Sequence, residues 1–144
     1  MAATAAEKEV KQAIEARNAA LGAKDVAGVM ASGYAGFVAY TLAPPLKSTA
    51  GKAGLAAWFD TWHGPIGLAT KDLKITAGDD VAFASCLVRM TGRKTDGEDV
   101  DLWHRQTFGL KRVRGAWKIL HEHSSVPFYM DGSLKAAVDL TPEA

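Results

Sequence analysis

The stretch Asp101–Ser125, DLWHRQTFGLKRVRGAWKILHEHSS, decides how the rest of the chain is read. Two runs of strand-forming residues flank Arg114-Gly115, and a glycine there supplies the positive φ that a tight turn needs. With those two residues at the turn, Val113 stands opposite Ala116 and Phe108 opposite His121. Side chains alternate between faces along a strand. One face then carries His104, Gln106, Phe108 and Leu110 beside Trp117, Ile119, His121 and His123. The other carries Trp103, Arg105 and Thr107 beside Lys118, Leu120, Glu122 and Ser124. Lys118 and Glu122 suit water, so the Trp117/Ile119 face is read as the buried one. A slip of one residue would regroup the two strands against each other. The relation among His121, Glu122 and His123 within their own strand would survive it.

Upstream of this hairpin the chain alternates between turns and strands. Ile66–Thr76 places Leu73 and Ile75 on one face, Gly78-Asp79-Asp80 reads as a turn, and Val81–Thr91 is a nearly continuous apolar run. Asp96-Gly97 is a hairpin signal. The first half is helical. Ala5–Leu21 groups Val10, Ile14 and Leu21 on one side, with Glu7, Lys8, Lys11, Glu15 and Arg17 mostly around the rest. Asp25 is placed to cap a short helix that Gly33 and Gly36 break. Phe37–Leu42 is a strand stopped by Pro44-Pro45. Gly51–Trp62 reads as a helix with Leu55, Trp58, Phe59 and Trp62 in one stripe, and His63-Gly64-Pro65 ends it. After Pro127, a helical stub is expected over Ser133–Val138.

Three helices with one interposed strand, followed by four long antiparallel strands, predict an α+β fold with helices on one face of a curved sheet. At 144 residues the chain makes a single domain, 1–144, large enough for a real core. A net charge of +1 without a basic block points away from nucleic acid and anionic membranes. Neither a signal peptide nor a membrane-length apolar run is read, so a cytoplasmic protein is expected. Cys86 is alone and sits in AFASCLV, which suits an inert buried thiol.

The order of elements, the passage TLAPPLKSTAGKAGLAAWF and the ending RGAWKILHEHSS resemble the nuclear-transport-factor-two-like superfamily, which includes ketosteroid isomerases and SnoaL-like polyketide cyclases. The resemblance implies a cone with a central apolar pocket and a homodimer through the outer sheet face. It implies no single reaction, because one fold hosts many. Ketosteroid isomerases use an Asp base with a Tyr and a neutral Asp as oxyanion hole. Here the early strand, Phe37-Val38-Ala39-Tyr40-Thr41, holds no acid, and neither does Val81–Met90.

Among the chemical groups, His121 and His123 share one strand face, with Cα atoms roughly 6.5–7 Å apart. Three uses fit them: acid–base or hydrogen-bonding duty in a pocket, a structural pair, or metal ligation, for which a third ligand is wanting because Glu122 points the other way. Glu122 and Arg105 read as an outer-face ion pair; with the faces inverted they become the pocket acid and its partner. Tyr40 is a further pocket donor. Trp58, Trp62, Phe108, Gln106 and His104 are expected to line the ligand. The overall expectation is cofactor-independent acid–base chemistry (isomerisation, cyclisation, dehydration or hydration) on an apolar, oxygen-bearing small molecule, with His121 and His123 as its acid/base or orienting groups and Tyr40, Gln106 and Arg105 as lesser candidates. No metal and no cofactor is assigned. The alternative is a non-catalytic binding or assembly module of the same fold.

Overall fold

The computed structural model describes residues 2–48 and 51–143, with residues 34 and 35 described by backbone alone. Residues 49 and 50 of the Pro-Pro-to-helix passage lie outside the described residues. Helix α1 (Ala5–Gly22) starts at Thr4, whose hydroxyl accepts the Glu7 amide at 3.1 Å. Its buried residues are Val10, Ile14, Arg17 and Leu21. They stand at i, i+4, i+7 and i+11, a single face. Arg17, expected among the solvated residues of this helix, therefore faces the core. Helix α2 (Val26–Ser32) is capped by Asp25, which accepts the Gly28 amide at 3.0 Å.

Strand β1 (Gly33–Tyr40) begins earlier than expected; Gly33 opens it, and Gly36 lies inside it at φ 86°. The Pro44-Pro45 bond is cis. Helix α3 (Gly51–Phe59) is shorter than its apolar stripe implies. Thr61 explains the early stop: its amide and its hydroxyl both donate to the Trp58 carbonyl, at 3.0 and 2.6 Å. A side chain that takes a helix carbonyl competes with the next turn. Trp62 consequently opens β2 (Trp62–Ala77), and His63-Gly64-Pro65 lies within that strand rather than in a loop. Strand β2 is at the sheet edge, where a proline is tolerated.

Strands β3 (Val81–Lys94), β4 (Asp99–Val113) and β5 (Ala116–Ser125) complete a five-stranded sheet in the order β1-β5-β4-β3-β2. β1 runs parallel to β5, and every other pair is antiparallel. The architecture is α+β, with three helices on a curled sheet of the cone type. Two apolar clusters fill the concave side. One gathers Val10, Ile14, Phe108, Leu110, Trp117 and Ile119; the other gathers Leu21, Phe59, Trp62 and Ile66. The expected stub Ser133–Val138 is not helical. Leu134 takes a left-handed φ of 54°, Phe128 bridges Ala136, and the Tyr129 amide donates to the Lys135 carbonyl at 2.9 Å.

Candidate functional site

The hairpin turn falls where expected, with Val113 opposite Ala116. The register then shifts. Leu110 pairs with Ile119, but Gly109 pairs with His121, so Leu120 is an extra residue in the ladder. Such a bulge puts two residues opposite one and reverses the alternation beyond it. Phe108 therefore faces Glu122, not His121, and Gln106 faces Ser124. Trp117 and Ile119 do face the core, as read from the sequence, but His121 and His123 turn to the outer face.

Across the inner face, β4 and β5 bring Glu122 beside Phe108, and Ser124 beside Gln106. β3 adds Cys86 opposite Gln106 and Val88 opposite His104. Helix α1 lays Arg17 over this row. Arg17 Nη2 pairs with Glu122 Oε2 at 2.8 Å, its Nη1 donates to Asn18 Oδ1 at 2.9 Å, and its guanidinium carbon lies 5.5 Å from the Phe108 ring centre. The side chains of this pair are only 8% and 13% exposed. Arg17, His104 and Gln106 are the buried polar or charged residues of the described core. They form a polar layer between the two apolar clusters: along β4 the inner row runs Leu110, Phe108, Gln106, His104, Leu102, Val100.

His104 is the imidazole of this layer. Its Nδ1 lies 3.2 Å from the Arg105 carbonyl oxygen. A carbonyl only accepts, so Nδ1 carries the proton and Nε2 presents a lone pair. No hydrogen bond to Nε2 forms among the described residues. Burial holds the imidazole below its usual pKa; Arg17 pushes it the same way, while the Arg105 carbonyl and Glu122 oppose. The ring is thus a neutral base at pH 7. Gln106 Nε2 donates to Ser124 Oγ at 3.2 Å, which leaves the Ser124 hydroxyl proton to give elsewhere. Burial also pushes the Cys86 thiol up to about 11, so it is inert.

The profile of the SnoaL-like domain family matches residues 10–129, which takes in both clusters and the polar layer. The chain belongs to the SnoaL-like family. An NTF2-like protein from Pseudomonas putida KT2440 is 33% identical and superposes with a TM-score of 0.82, covering 97% of this chain and 99% of that one. A ketosteroid isomerase-like protein from Erwinia carotovora atroseptica reaches 0.69 at 19% identity, covering 85% and 97%. The association domain of C. elegans CaMKII reaches 0.63 at 16% identity, covering 85% and 99%. The last two show the fold alone. No curated protein matches the chain.

In this SnoaL-like domain the residues singled out from the sequence divide into two groups. His104, Gln106, Phe108, Glu122 and Trp62 are interior, with Trp58 half-buried and edge-on to Trp62 at 5.6 Å. Tyr40, His121, His123 and Arg105 belong to the outer face. Tyr40 sets its ring edge-on against both histidines, at 5.1 and 5.2 Å between centres, and His121 Nδ1–H donates to the Val38 carbonyl at 2.8 Å. Arg105 donates to Ser125 Oγ at 3.0 Å and makes no ion pair with Glu122, whose partner is Arg17. Arg17 and Ser124 are inner-face residues that the sequence reading missed. For Arg17, a position three residues after Ile14 and four before Leu21 was the available signal. Among the described residues, no group of three or more His, Cys, Asp and Glu is placed to hold a metal ion, and no helix is long and apolar enough to cross a membrane.

Proposed function

We propose that this SnoaL-like domain binds an apolar, oxygen-bearing small molecule on the inner sheet face and moves a proton on it by cofactor-independent acid–base chemistry. His104 is the base. The observation that carries the reading is its state: a buried, neutral imidazole, 7% exposed, with Nδ1–H tied to a carbonyl and no hydrogen bond to Nε2 among the described residues. A base with its pKa below the working pH is ready to accept a proton without first losing one. Nε2 takes a proton from a carbon next to the ligand's carbonyl, and the electron pair moves onto the carbonyl oxygen. Glu122 favours the imidazolium that forms, and Arg17 keeps Glu122 in place. Ser124 has a hydroxyl proton to offer the developing oxyanion. The proton then returns to the same carbon or to a conjugated one.

The test is hydrogen–deuterium exchange next to the carbonyl of acetophenone, 2-tetralone and cyclohex-2-enone in D2O, followed by NMR. The wild-type protein should accelerate exchange of at least one of them, and His104→Gln should lose about 10²–10⁴-fold of that rate. A rate that survives His104→Gln removes His104 as the base. A second reading, an assembly module, draws on the exposed outer face, where Phe83 is 57% and Val81 59% exposed. It draws also on the association-domain neighbour of the same fold. It predicts a homodimer in light scattering and no exchange in any of the three ketones.

A further inference from the structure

Among the described residues, nothing satisfies a buried donor on Trp62. The residue is 3% exposed, and its Nε1–H has no hydrogen-bond partner there. Everything else about this ring is held. Gly92 makes room for it: a Cβ there would lie 2.7 Å from Trp62 Cζ3. Lys94 Nζ sits 4.2 Å from the ring centre, and Lys24 Nζ donates to the Trp62 carbonyl at 3.0 Å. A tryptophan fixed so closely would orient its N–H reproducibly. Among the described residues the other buried donor without a partner, Arg112 Nε, belongs to a guanidinium whose Nη2 already reaches Glu9 at 3.0 Å, whereas an indole has a single donor.

The surroundings of that ring are apolar. Leu21, Phe59 and Ile66 are buried beside Trp62, while Leu55, Trp58 and Met90 around them are only half-buried. Met90 and Val100 of the same cluster continue the inner rows of β3 and β4 that carry Val88 and His104. The ring therefore belongs to the apolar wall next to the polar layer. Buried donors are rarely left unpaired, and an unpaired one in a ligand-binding fold asks for an acceptor from outside the chain. We propose that Trp62 Nε1–H is the anchoring donor for an acceptor oxygen of the ligand, a carbonyl, ester or ether oxygen on a neutral apolar body. This rests on the reading above for the side of the sheet on which the ligand sits.

The test uses a matched pair: acetophenone, and isopropenylbenzene, in which a methylene replaces the carbonyl oxygen. Indole N–H resonances are followed in 15N-labelled protein, and Trp62 is assigned by the Trp58→Phe, Trp103→Phe and Trp117→Phe variants, so the assignment survives a failure of Trp62→Phe to fold. Acetophenone should move the Trp62 N–H downfield; isopropenylbenzene should not. Trp62→Phe should weaken acetophenone by about two- to tenfold, the worth of one net hydrogen bond, and leave isopropenylbenzene unchanged. A Trp62 N–H already downfield in the ligand-free protein and unmoved by acetophenone marks resident water as its acceptor and overturns the proposal. So does equal response to both compounds, or no response to either. The two readings fail separately: His104→Gln should abolish exchange while the Trp62 shift remains.

Discussion

β4 and β5 lie side by side and both line the core, but they present it differently. β4 keeps one alternation throughout, so Val100, Leu102, His104, Gln106, Phe108 and Leu110 all look inward. β5 changes alternation at Leu120. Before the bulge it offers Trp117 and Ile119 to the core; after it, Glu122 and Ser124. The uninterrupted strand delivers an apolar floor with a neutral base above it. The bulged strand delivers a carboxylate and a hydroxyl to the same level and sends two imidazoles outward. One extra residue thus exchanges His121 and His123 for Glu122 and Ser124 as the groups the interior can use.

The carboxylate carries the largest stability loss. Glu122→Leu leaves Arg17 buried without its partner and should cost about 3–5 kcal/mol in urea unfolding. The double variant Arg17→Met/Glu122→Leu should recover most of that loss, because a well-packed apolar pair can replace a buried ion pair. If the single variant loses under about 1 kcal/mol, Glu122 is solvated and the bulge does not turn it inward. Deleting Leu120 sharpens the point. Removal of the extra residue leaves Ile119 and Glu122 on the same face of a regular ladder, so the cost should be only about 1–2 kcal/mol. A loss as large as that of Glu122→Leu would show that the deletion reversed the faces.

The histidines supply the smaller tests. Because burial holds the folded His104 pKa below its usual value, the unfolded chain takes up the proton first as pH falls below about 6.5. This residue's contribution is fully present above that pH. It declines as pH drops toward the folded pKa and is lost below it. Denaturation midpoints measured from pH 7.5 to 5 should fall, and His104→Gln should flatten that slope. An unchanged slope in the variant would place His104 in water. By the same logic the acid limb of the exchange pH profile should fall below that of a free imidazole. His123→Ala, on the exposed side of β5, should change stability by no more than about 0.5 kcal/mol. A larger loss would mean that this face is covered, as in a dimer through the sheet.

Much of the candidate site was legible in residue order. His104, Gln106 and Phe108 follow from period-two alternation on a strand without irregularity, and they land where that period puts them. Arg17 was legible but discounted. Its helical position matched the buried face, while its charge argued for water; a partner from β5, 105 residues away, reversed that balance. Trp62 shows the opposite case. Its spacing after Leu55, Trp58 and Phe59 suggested a fourth helical turn, and it does join their cluster, but from the first residue of a strand.

From the sequence alone came the order of the helices and strands, the Arg114-Gly115 turn, the cap at Asp25, and the α+β class. These depend on residues a few positions apart, whose preferences act before the chain is folded. The inward face of β5 beyond Ile119 was decided only by the tertiary structure. A bulge belongs to two strands at once: the extra residue exists only relative to a partner ladder, and it is retained where the packed surfaces agree better with it than without it. Here they agree because Trp117 and Ile119 meet the apolar core while Glu122 meets Arg17 on α1. No local pattern in His121-Glu122-His123 records that meeting.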